Sequence, residues 1–245
     1  MTANMLEILE WGRLRFSEAW ERQLALVEQR VNDSTPDRLV LVEHPPVITI
    51  GRSGGPDDLK RSEHELTVQG VELQRVERGG QATYHGPGQM VAYPIIKLRQ
   101  KDLHLFLRTL LEAAANTIRS YGLEPEFKEG RPGLWVESKK ISSVGLAVRR
   151  WVTYHGLALN VGDCLGGFQL ITPCGNPSEK MTSLEELLGV SVNMAEVKER
   201  FILEFCRSFE YQPQARFDQT SDRLHPRLTD FEHANERIPR SLPRG

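Results

Sequence analysis

The glycine-rich stretch from Arg78 to Gln89 constrains the fold of this chain more than any other segment. It holds four glycines, together with Pro87 and His85, within twelve residues. Such a segment cannot form the interior of a helix, because each glycine there costs about 1 kcal/mol relative to alanine. Apolar, strand-like runs at 71–76 and 90–96 flank it, which predicts a loop between strands. Since glycine lets the backbone approach a ligand closely, we expect this loop to form one wall of a binding site.

Composition excludes several classes of protein. The 245 residues carry a net charge of −2, so the chain has no global basic field and no nucleic-acid partner is expected. No apolar run approaches 18 residues and no basic-then-apolar leader is evident, which predicts a cytoplasmic protein with no membrane partner. Three cysteines indicate free thiols in a reducing compartment. Neither CxxC nor HExxH occurs, so no metal site is expected.

Hydrophobic periodicity predicts an α+β domain with a mixed, mostly antiparallel sheet flanked by helices. Ser17 is the expected N-cap of a first helix with Trp20, Leu24, Val27 and Val31 buried, and Asn193 with Glu196 predicts a capping box at the start of a late helix. The predicted strands cover 6–11, 38–43, 47–50, 68–76, 90–96, 133–136, 140–148 and 154–161. The predicted helices cover 17–32, 103–121 and 181–188 and begin again at 193, with a short irregular helix within 57–65.

The character of the chain changes near Tyr211. The last 35 residues are dominated by arginine, aspartate, glutamine, histidine and proline, with few large apolar groups. Such a segment buries too little surface to offset its ordering entropy. The prediction is a folded domain over 1–210 and a polar tail over 211–245 that is extended or mobile.

A second glycine-rich loop, Gly51-Arg52-Ser53-Gly54-Gly55, follows the strand at 47–50. It lacks the GxxxxGK[ST] spacing of a P-loop, and no GxGxxG follows a strand here. Nucleotide binding at this loop is therefore only weakly indicated.

Cys174 is the best candidate nucleophile. It lies in Thr172-Pro173-Cys174-Gly175-Asn176, where proline and glycine mark a tight turn that would present the thiol. Cys206 has the apolar setting of a structural cysteine, and Cys164 resembles an ordinary loop cysteine. A free thiol is only a few per cent ionised at neutral pH, so it needs a base or cation nearby.

Lys140, His85 and His155 are the candidate partners of that thiol. Lys140 opens an apolar strand, where desolvation would lower its pKa toward neutrality, while Lys139 points to the opposite face. His85 lies in a glycine-flanked loop that can approach a ligand. His155 is interpreted instead as a half-buried strand histidine with its hydrogen bonds satisfied.

Four motifs together resemble the lipoyl(octanoyl) transferase family over about residues 6–209. They are Arg78 to Gln89, Lys140 to Gly145, His155-Gly156-Leu157-Ala158-Leu159-Asn160 and Pro173-Cys174-Gly175. The resemblance implies a fold related to the biotin and lipoate protein ligases, with Cys174 and Lys140 catalytic. The implied substrate-binding residues are Arg78, Gly79, Gly80, Thr83, Tyr84, His85, Gly86, Gln89, Ser143, Val144, Gly145, His155, Gly156, Leu157 and Ala158.

The resemblance also implies an activity and its partners. The expected donor is octanoyl-acyl carrier protein, and the expected acceptors are lysines on the lipoyl domains of 2-oxoacid dehydrogenases and on the glycine cleavage H protein. We expect a monomer that forms a thioester on Cys174, with Lys140 alternating as base and acid, and without ATP or another cofactor. Backbone N–H groups near Cys174 or in Gly79-Gly80 are the expected oxyanion donors. Arg149 and Arg150 are candidates for contact with an acidic carrier protein.

Three alternatives remain open at this level. An ATP-dependent lipoate or biotin ligase on the same fold would use Lys140 against an acyl-adenylate. A thiol hydrolase would pair Cys174 with His85. A non-catalytic acyl-binding module would need neither group for chemistry.

Overall fold

A computed structural model describes residues 4–219, apart from the side chains of Cys174, Gln214 and Ala215. The strands are β1 Asn4–Arg13, β2 Asp37–Glu43, β3 Val47–Ile50, β4 Glu72–Arg75, β5 Ala82–His85, β6 Gln89–Ile95, β7 Glu126–Lys128, β8 Arg131–Val136, β9 Lys139–Arg149, β10 Val152–Asn160 and β11 Tyr211–Asp218. The helices are α1 Phe16–Val31, α2 Glu63–Val68, α3 Leu103–Arg119, α4 Leu184–Leu188 and α5 Met194–Phe209. Short 3₁₀ turns lie at Pro56–Asp58, Gly166–Leu170 and Pro173–Gly175.

Within the described part of the chain, eight strands form one sheet in the order β11-β1-β2-β6-β10-β9-β8-β7. Strand β1 is parallel to both β11 and β2, and the remaining neighbours are antiparallel. A small sheet, β4-β3-β5, pairs β3 with β4 in parallel and with β5 in antiparallel fashion. The predicted α+β architecture with a mixed, mostly antiparallel sheet is confirmed.

The two faces of the large sheet carry different helices because side chains alternate along each strand. On β2, Leu39 and Leu41 join the core cluster that includes residues of α3 and α5, whereas Val40 and Val42 join the cluster that includes α1. No described helix has the length and apolarity needed to cross a membrane.

Helix α1 differs from its prediction at its start and on its buried face. It begins at Phe16, one residue before the predicted cap Ser17, and Arg15 occupies the N-cap position without a side-chain hydrogen bond. The fully buried positions are Phe16, Ala19, Gln23 and Val27, so of the predicted face only Val27 is fully buried. The helix is rotated toward Gln23 because its amide oxygen accepts the backbone N–H of His155, 2.9 Å away.

Two other predicted elements have the wrong boundaries. The strand predicted at 68–76 is shorter, because Val68 is the last residue of α2 and only Glu72–Arg75 forms a strand, which pairs with β3. Helix α4 begins only at Leu184, because Thr182 donates its N–H to the Lys140 carbonyl.

The caps of the last helix also differ in detail. Asn193 caps α5 by accepting from the N–H of Ala195, but Glu196 bonds Arg200 instead of completing a capping box. The sequence pattern does not indicate two short strands. Strand β5 lies within the glycine-rich stretch that was predicted to be a loop and pairs with β3, and β7 extends the large sheet beyond β8.

The first eight residues of the predicted tail belong to the large sheet. Strand β11 runs along β1, and the Arg216 guanidinium contacts the carboxylates of Glu10 and Glu199. These ion pairs therefore help to hold β11 against the sheet, although the segment contains few large apolar side chains. The rest of the predicted tail, 220–245, lies outside the described residues.

Candidate functional site

A cavity of about 220 Å³ lies on the α1 face of the large sheet, beneath the glycine-rich stretch. We call it the slot. One row of paired strand residues runs beneath it, with Val91 opposite Ala158, Ala158 opposite Ser143, and Ser143 opposite Gly133. The slot therefore crosses four strands, β6, β10, β9 and β8. Its lining comprises Phe16, Thr49, Arg78, Gly79, Gly80, Gln81, Ala82, Thr83, His85, Val91, Tyr93, Gly130, Arg131, Pro132, Lys140, Ser143, Val144, Gly145, His155, Gly156, Leu157 and Ala158.

Lys140 is a buried lysine in the wall of the slot, with only 2 % of its surface exposed. Its Nζ donates to the Pro132 carbonyl over 3.1 Å and lies 4.9 Å from the centre of the Trp135 ring. Gly133 makes room for this side chain, since a Cβ there would be 2.6 Å from Lys140 Cε. Lys139 points away and pairs with Glu186, as the strand alternation predicts.

The Arg78-Gly79-Gly80 segment is fastened over the slot from two sides. Gly79 donates its N–H to the Leu146 carbonyl of β9, 3.0 Å away. The Arg78 guanidinium donates to the carbonyl and hydroxyl oxygens of Thr49. Gly145 permits this close approach, because a Cβ at that position would lie 2.9 Å from the Gly79 carbonyl oxygen.

The second glycine-rich loop supports the first. Arg52 and Ser53 donate their N–H groups to the carbonyls of Arg78 and Gly80. A Cβ on Gly51 would lie 2.3 Å from the Gly80 oxygen, so glycine is required there for packing. These contacts explain the composition of the loop without nucleotide binding.

Strand β5 divides its residues between two faces. Thr83 and His85 line the slot, whereas the Tyr84 ring packs on the other side against Phe168 and over Gly86. Tyr84 and Gly86 therefore lie outside the slot lining. Gln89 also lies outside it, and its role is to hold His85.

His85 is a neutral hydrogen-bonding group in the slot wall. Its Nδ1 lies 2.7 Å from Gln89 Oε1, and the Gln89 amide nitrogen donates to Tyr84 O and Asn160 Oδ1. Because the amide oxygen thus faces the ring, Nδ1 carries the proton and Nε2 is the acceptor. Burial, reinforced by His44 nearby, lowers the pKa of His85 to about 3.

His155 departs from the prediction of a half-buried, satisfied histidine. It is buried in the slot wall, and its Nε2 has no hydrogen-bond partner among the described residues. Its φ is 54°, and β10 pairs with β6 only from Leu157 onward, although its pairing with β9 continues through His155. Burial lowers its pKa to about 3, so this ring is also neutral at physiological pH.

The turn that carries Cys174 lies at the edge of the slot. A Cβ on Gly175 would lie 2.4 Å from the Gln81 amide nitrogen, and Gln81 lines the slot. Beyond the turn, Lys140 donates its N–H to the Lys180 carbonyl over 2.7 Å. The backbone from 173 to 182 therefore begins next to Gln81 and ends next to Lys140, both of which line the slot.

The other two cysteines are poor nucleophiles. Cys164 is buried, contrary to its interpretation as an ordinary loop residue, and Cys206 is buried as predicted. Burial raises the pKa of both thiols to about 12. In the described part of the chain, no group of histidine, cysteine or acidic side chains is arranged to hold a metal ion.

Several lining residues were not predicted from the sequence. Phe16, Thr49, Val91 and Tyr93 belong to ordinary apolar helix or strand patterns, and nothing in those patterns distinguishes a cavity wall from a core. The 130–132 segment forms a turn and the start of β8. It reaches the slot only because of the register in which β8 pairs with β9, which the sequence does not reveal. Arg149 is exposed and lies 3.8 Å from Glu28, outside the slot lining.

Comparison with known proteins gives a consistent result. A model of the family described as the lipoyl protein ligase A/B catalytic domain matches residues 15–206. An octanoyltransferase of Nitratidesulfovibrio vulgaris (strain DP4) is 45% identical over 206 residues, which cover 83% of this chain and 94% of that protein. An octanoyltransferase of Caldanaerobacter subterraneus is 43% identical over 206 residues, which cover 83% of this chain and 90% of that protein.

Solved structures share the fold at low sequence identity. The bipartite lipoate protein ligase of Thermoplasma acidophilum, studied with its E2 lipoyl domain, superposes with a TM-score of 0.69 at 18% identity, covering 89% of each chain. A lipoate-protein ligase A bound with ATP gives a TM-score of 0.68 at 18% identity, covering 90% of this chain and 91% of that one.

Proposed function

Since this chain belongs to the lipoyl protein ligase A/B catalytic domain family and is an acyltransferase of protein lipoylation, we propose that it transfers octanoyl groups through a thioester on Cys174. The donor is octanoyl-acyl carrier protein, and the acceptors are lysines of lipoyl domains and of the glycine cleavage H protein. One observation carries the proposal: a buried lysine amine faces the slot to whose edge the backbone brings the Cys174 turn.

The first half-reaction moves the acyl group onto the enzyme. Lys140 accepts the Cys174 thiol proton, and the sulfur attacks the carbonyl carbon of the donor thioester. The tetrahedral intermediate collapses by breaking the bond to the donor sulfur, which leaves with the proton that Lys140 returns. One thioester replaces another, so the step needs no ATP.

The second half-reaction delivers the acyl group to the acceptor lysine. The acceptor amine attacks the enzyme thioester, Lys140 accepts its proton, and Cys174 leaves as a thiolate that is then reprotonated. Backbone N–H groups of Cys174 or Gly80 stabilise the oxyanion. The Gly79 N–H is excluded from this role, because it donates to Leu146 O.

The slot fits the acyl chain in character as well as in position. Val91, Val144, Leu157 and Ala158 supply apolar surface along its length. His85 and His155 are uncharged at neutral pH because burial lowers their pKa values. An alkyl chain therefore meets no fixed charge from either histidine. The low pKa of His85 also makes it a poorer candidate than Lys140 to accept the Cys174 proton.

A transfer assay tests the proposed function. Purified protein is incubated with octanoyl-acyl carrier protein and a lipoyl domain, and the mass of the domain is followed; a parallel reaction contains free octanoate and ATP. We expect octanoylation of the domain lysine in the first reaction only. Modification that requires ATP would support a ligase instead, and release of free octanoate at a rate independent of acceptor would support a hydrolase.

We further propose that the enzyme acts as a monomer in the cytoplasm, with the exposed Arg149 and Arg150 meeting the acidic carrier protein. Sedimentation of the purified protein tests whether it is a monomer. For the second, Arg149→Glu with Arg150→Glu is expected to raise the KM for the carrier-bound donor with little change in kcat. An unchanged KM would exclude this surface.

A further inference from the structure

We propose that Phe16 sets the length of the acyl chain by closing the inner end of the slot. The inference rests on the proposed octanoyl transfer and adds the residue that determines which chain is accepted. Phe16 is the first residue of α1, is 2 % exposed, and lines the slot.

In this proposal the reaction takes place at one end of the slot, and Phe16 closes the other end. Pro132 of β8 and Lys140 of β9 line one end of the slot. Since Lys140 is the proposed base, the reacting carbonyl group is placed at this end. The register row then leads across β10 to Val91 on β6. The same strand carries Tyr93, whose hydroxyl contacts His44, and the His44 ring meets Phe16. An acyl chain that begins beside Lys140 therefore extends toward the Phe16 ring.

The length of this path suits a medium chain. Neighbouring strands lie about 4.8 Å apart, so the three intervals from β8 to β6 span roughly 14 Å. An extended eight-carbon chain advances about 1.2 Å per bond, or roughly 8–9 Å over seven bonds. We assign the remaining distance, roughly 5–6 Å, to the Lys140 side chain at one end and the Phe16 ring at the other.

Phe16 separates the slot from an apolar cluster behind it. It packs with Val47, Val76 and the partly buried Trp20. Of these four, Phe16 alone lines the slot. Shortening this side chain would empty the volume that the ring now fills, up to Val47, Val76 and Trp20, and would extend the path for an alkyl chain.

The ring is held in place by its neighbours. The planes of His85 and His155 are within 8° of the Phe16 plane, at centroid distances of 6.3 and 6.5 Å, and His44 meets its edge at 5.4 Å. His44 is itself fixed, because Nδ1 contacts Leu14 O and Nε2 contacts the Tyr93 hydroxyl, each at 2.7 Å. A ring confined by these contacts is a fixed stop rather than a movable one.

The test compares chain-length preference in three variants. Transfer rates from hexanoyl-, octanoyl- and dodecanoyl-carrier protein are measured at low donor concentration for wild type, Phe16→Ala and Phe16→Trp. Phe106→Ala is the matched control, because Phe106 is also buried, at 5 % exposed, but packs against Phe209 away from the slot.

Opposite shifts are expected from the two Phe16 variants. In Phe16→Ala the ratio of dodecanoyl to octanoyl transfer should rise at least tenfold, whereas in Phe16→Trp the ratio of hexanoyl to octanoyl transfer should rise severalfold. Phe106→Ala should keep the wild-type ratios within twofold. If Phe16→Ala does not fold, Phe16→Leu with a decanoyl donor decides, and an unchanged ratio in the folded variant overturns the inference.

Failure of the proposed function is distinguishable from failure of this inference. Calorimetric binding of free octanoate and dodecanoate to the same variants reports on the slot without any transfer. If wild type transfers nothing but Phe16→Ala gains affinity for dodecanoate alone, Phe16 is the stop and the transfer proposal is wrong. If wild type transfers octanoyl and Phe16→Ala keeps its preference in both assays, the role of Phe16 is wrong.

Discussion

Replacing Gly133 by alanine is expected to displace the Lys140 amine without altering either residue proposed to carry the chemistry. Gly133 has a φ of +147°, a conformation that residues with a side chain rarely adopt. A Cβ there would lie 2.5 Å from the Ser142 carbonyl oxygen and 2.6 Å from Lys140 Cε. The contact with the Ser142 oxygen can be relieved only by a shift of the β8 backbone, and the flexible Lys140 side chain must move as well.

The size of the effect follows from these contacts. Backbone strain at such a position costs about 1–3 kcal/mol, and forcing a neighbouring side chain off its rotamer adds about 0.5–1.5 kcal/mol. The free energy of unfolding should therefore fall by about 2–4 kcal/mol, or roughly 4–15 °C in Tm for a chain of this size. A displacement of about 1 Å at a catalytic group can reduce kcat about 100-fold.

Gly130→Ala is the matched control for this experiment. Gly130 also lines the slot and has a positive φ of 68°, but a Cβ there would meet no atom of the described residues within 4 Å. Its substitution should cost about 1–2 kcal/mol of stability through backbone strain alone. Thermal melts by circular dichroism and transfer kinetics are measured for both variants. Wild-type kcat in folded Gly133→Ala, or an equal loss of kcat in Gly130→Ala, would refute the reasoning.

Three further predictions follow. Lys140→Met should fold, since it keeps the volume of the side chain, and should lose transfer activity by about 100- to 10,000-fold; activity within tenfold of wild type in the octanoyl assay would exclude Lys140 as the base. The free energy of unfolding should fall as pH drops from about 6.5 toward 4. Burial lowers the pKa values of His44, His85 and His155 to about 4, 3 and 3, so these residues bind protons in the unfolded chain but stay neutral in the folded chain. Each of them should contribute a slope of about 1.4 kcal/mol per pH unit. Urea titrations between pH 7 and 5 measure this slope, the exposed His64→Gln should leave it unchanged, and a flat profile would contradict it. Arg216→Met should lower Tm by about 2–8 °C, from roughly 1–2 kcal/mol for the partly buried contacts with Glu10 and Glu199, and an unchanged melt would show that β11 contributes little.

The central strands and the long helices were predictable because their periodicity is strong. Helix α3 was predicted at 103–121 and covers Leu103–Arg119, and the run from β8 to β10 was predicted within a few residues. Helix α3 buries one regular face, β10 is buried almost throughout, and the turns that join β8, β9 and β10 carry residues with positive φ, such as Ser138 and Trp151. Local sequence was sufficient there.

The start of α1 and the end of the chain were not predictable in the same way. The rotation of α1 depends on a hydrogen bond between Gln23 and a residue 132 positions away, which no local pattern encodes. Strand β11 is polar and is held by Arg216 and its carboxylate partners, so a rule based on apolar content predicted a tail.

The candidate site shows the same division. The residues with unusual composition, such as Gly79 and His85, were found because glycine-rich loops are visible in sequence. Phe16 and Tyr93 were missed because their neighbours are those of an ordinary core, and only the packing of α1 on the sheet makes them part of the slot wall. The strand pattern around His155 does not reveal that its Nε2 is buried with no hydrogen-bond partner in the described part of the chain.

The most direct test of the account is the mass of the protein after brief exposure to octanoyl-acyl carrier protein without acceptor. We predict a gain of one octanoyl group, mapped by peptide analysis to Cys174, sensitive to hydroxylamine, and lost when the lipoyl domain is added. Cys174→Ser should show no hydroxylamine-sensitive adduct and no transfer, whereas Cys164→Ser should behave as wild type. Full transfer by Cys174→Ser, or an acyl group mapped to another residue, would contradict the account.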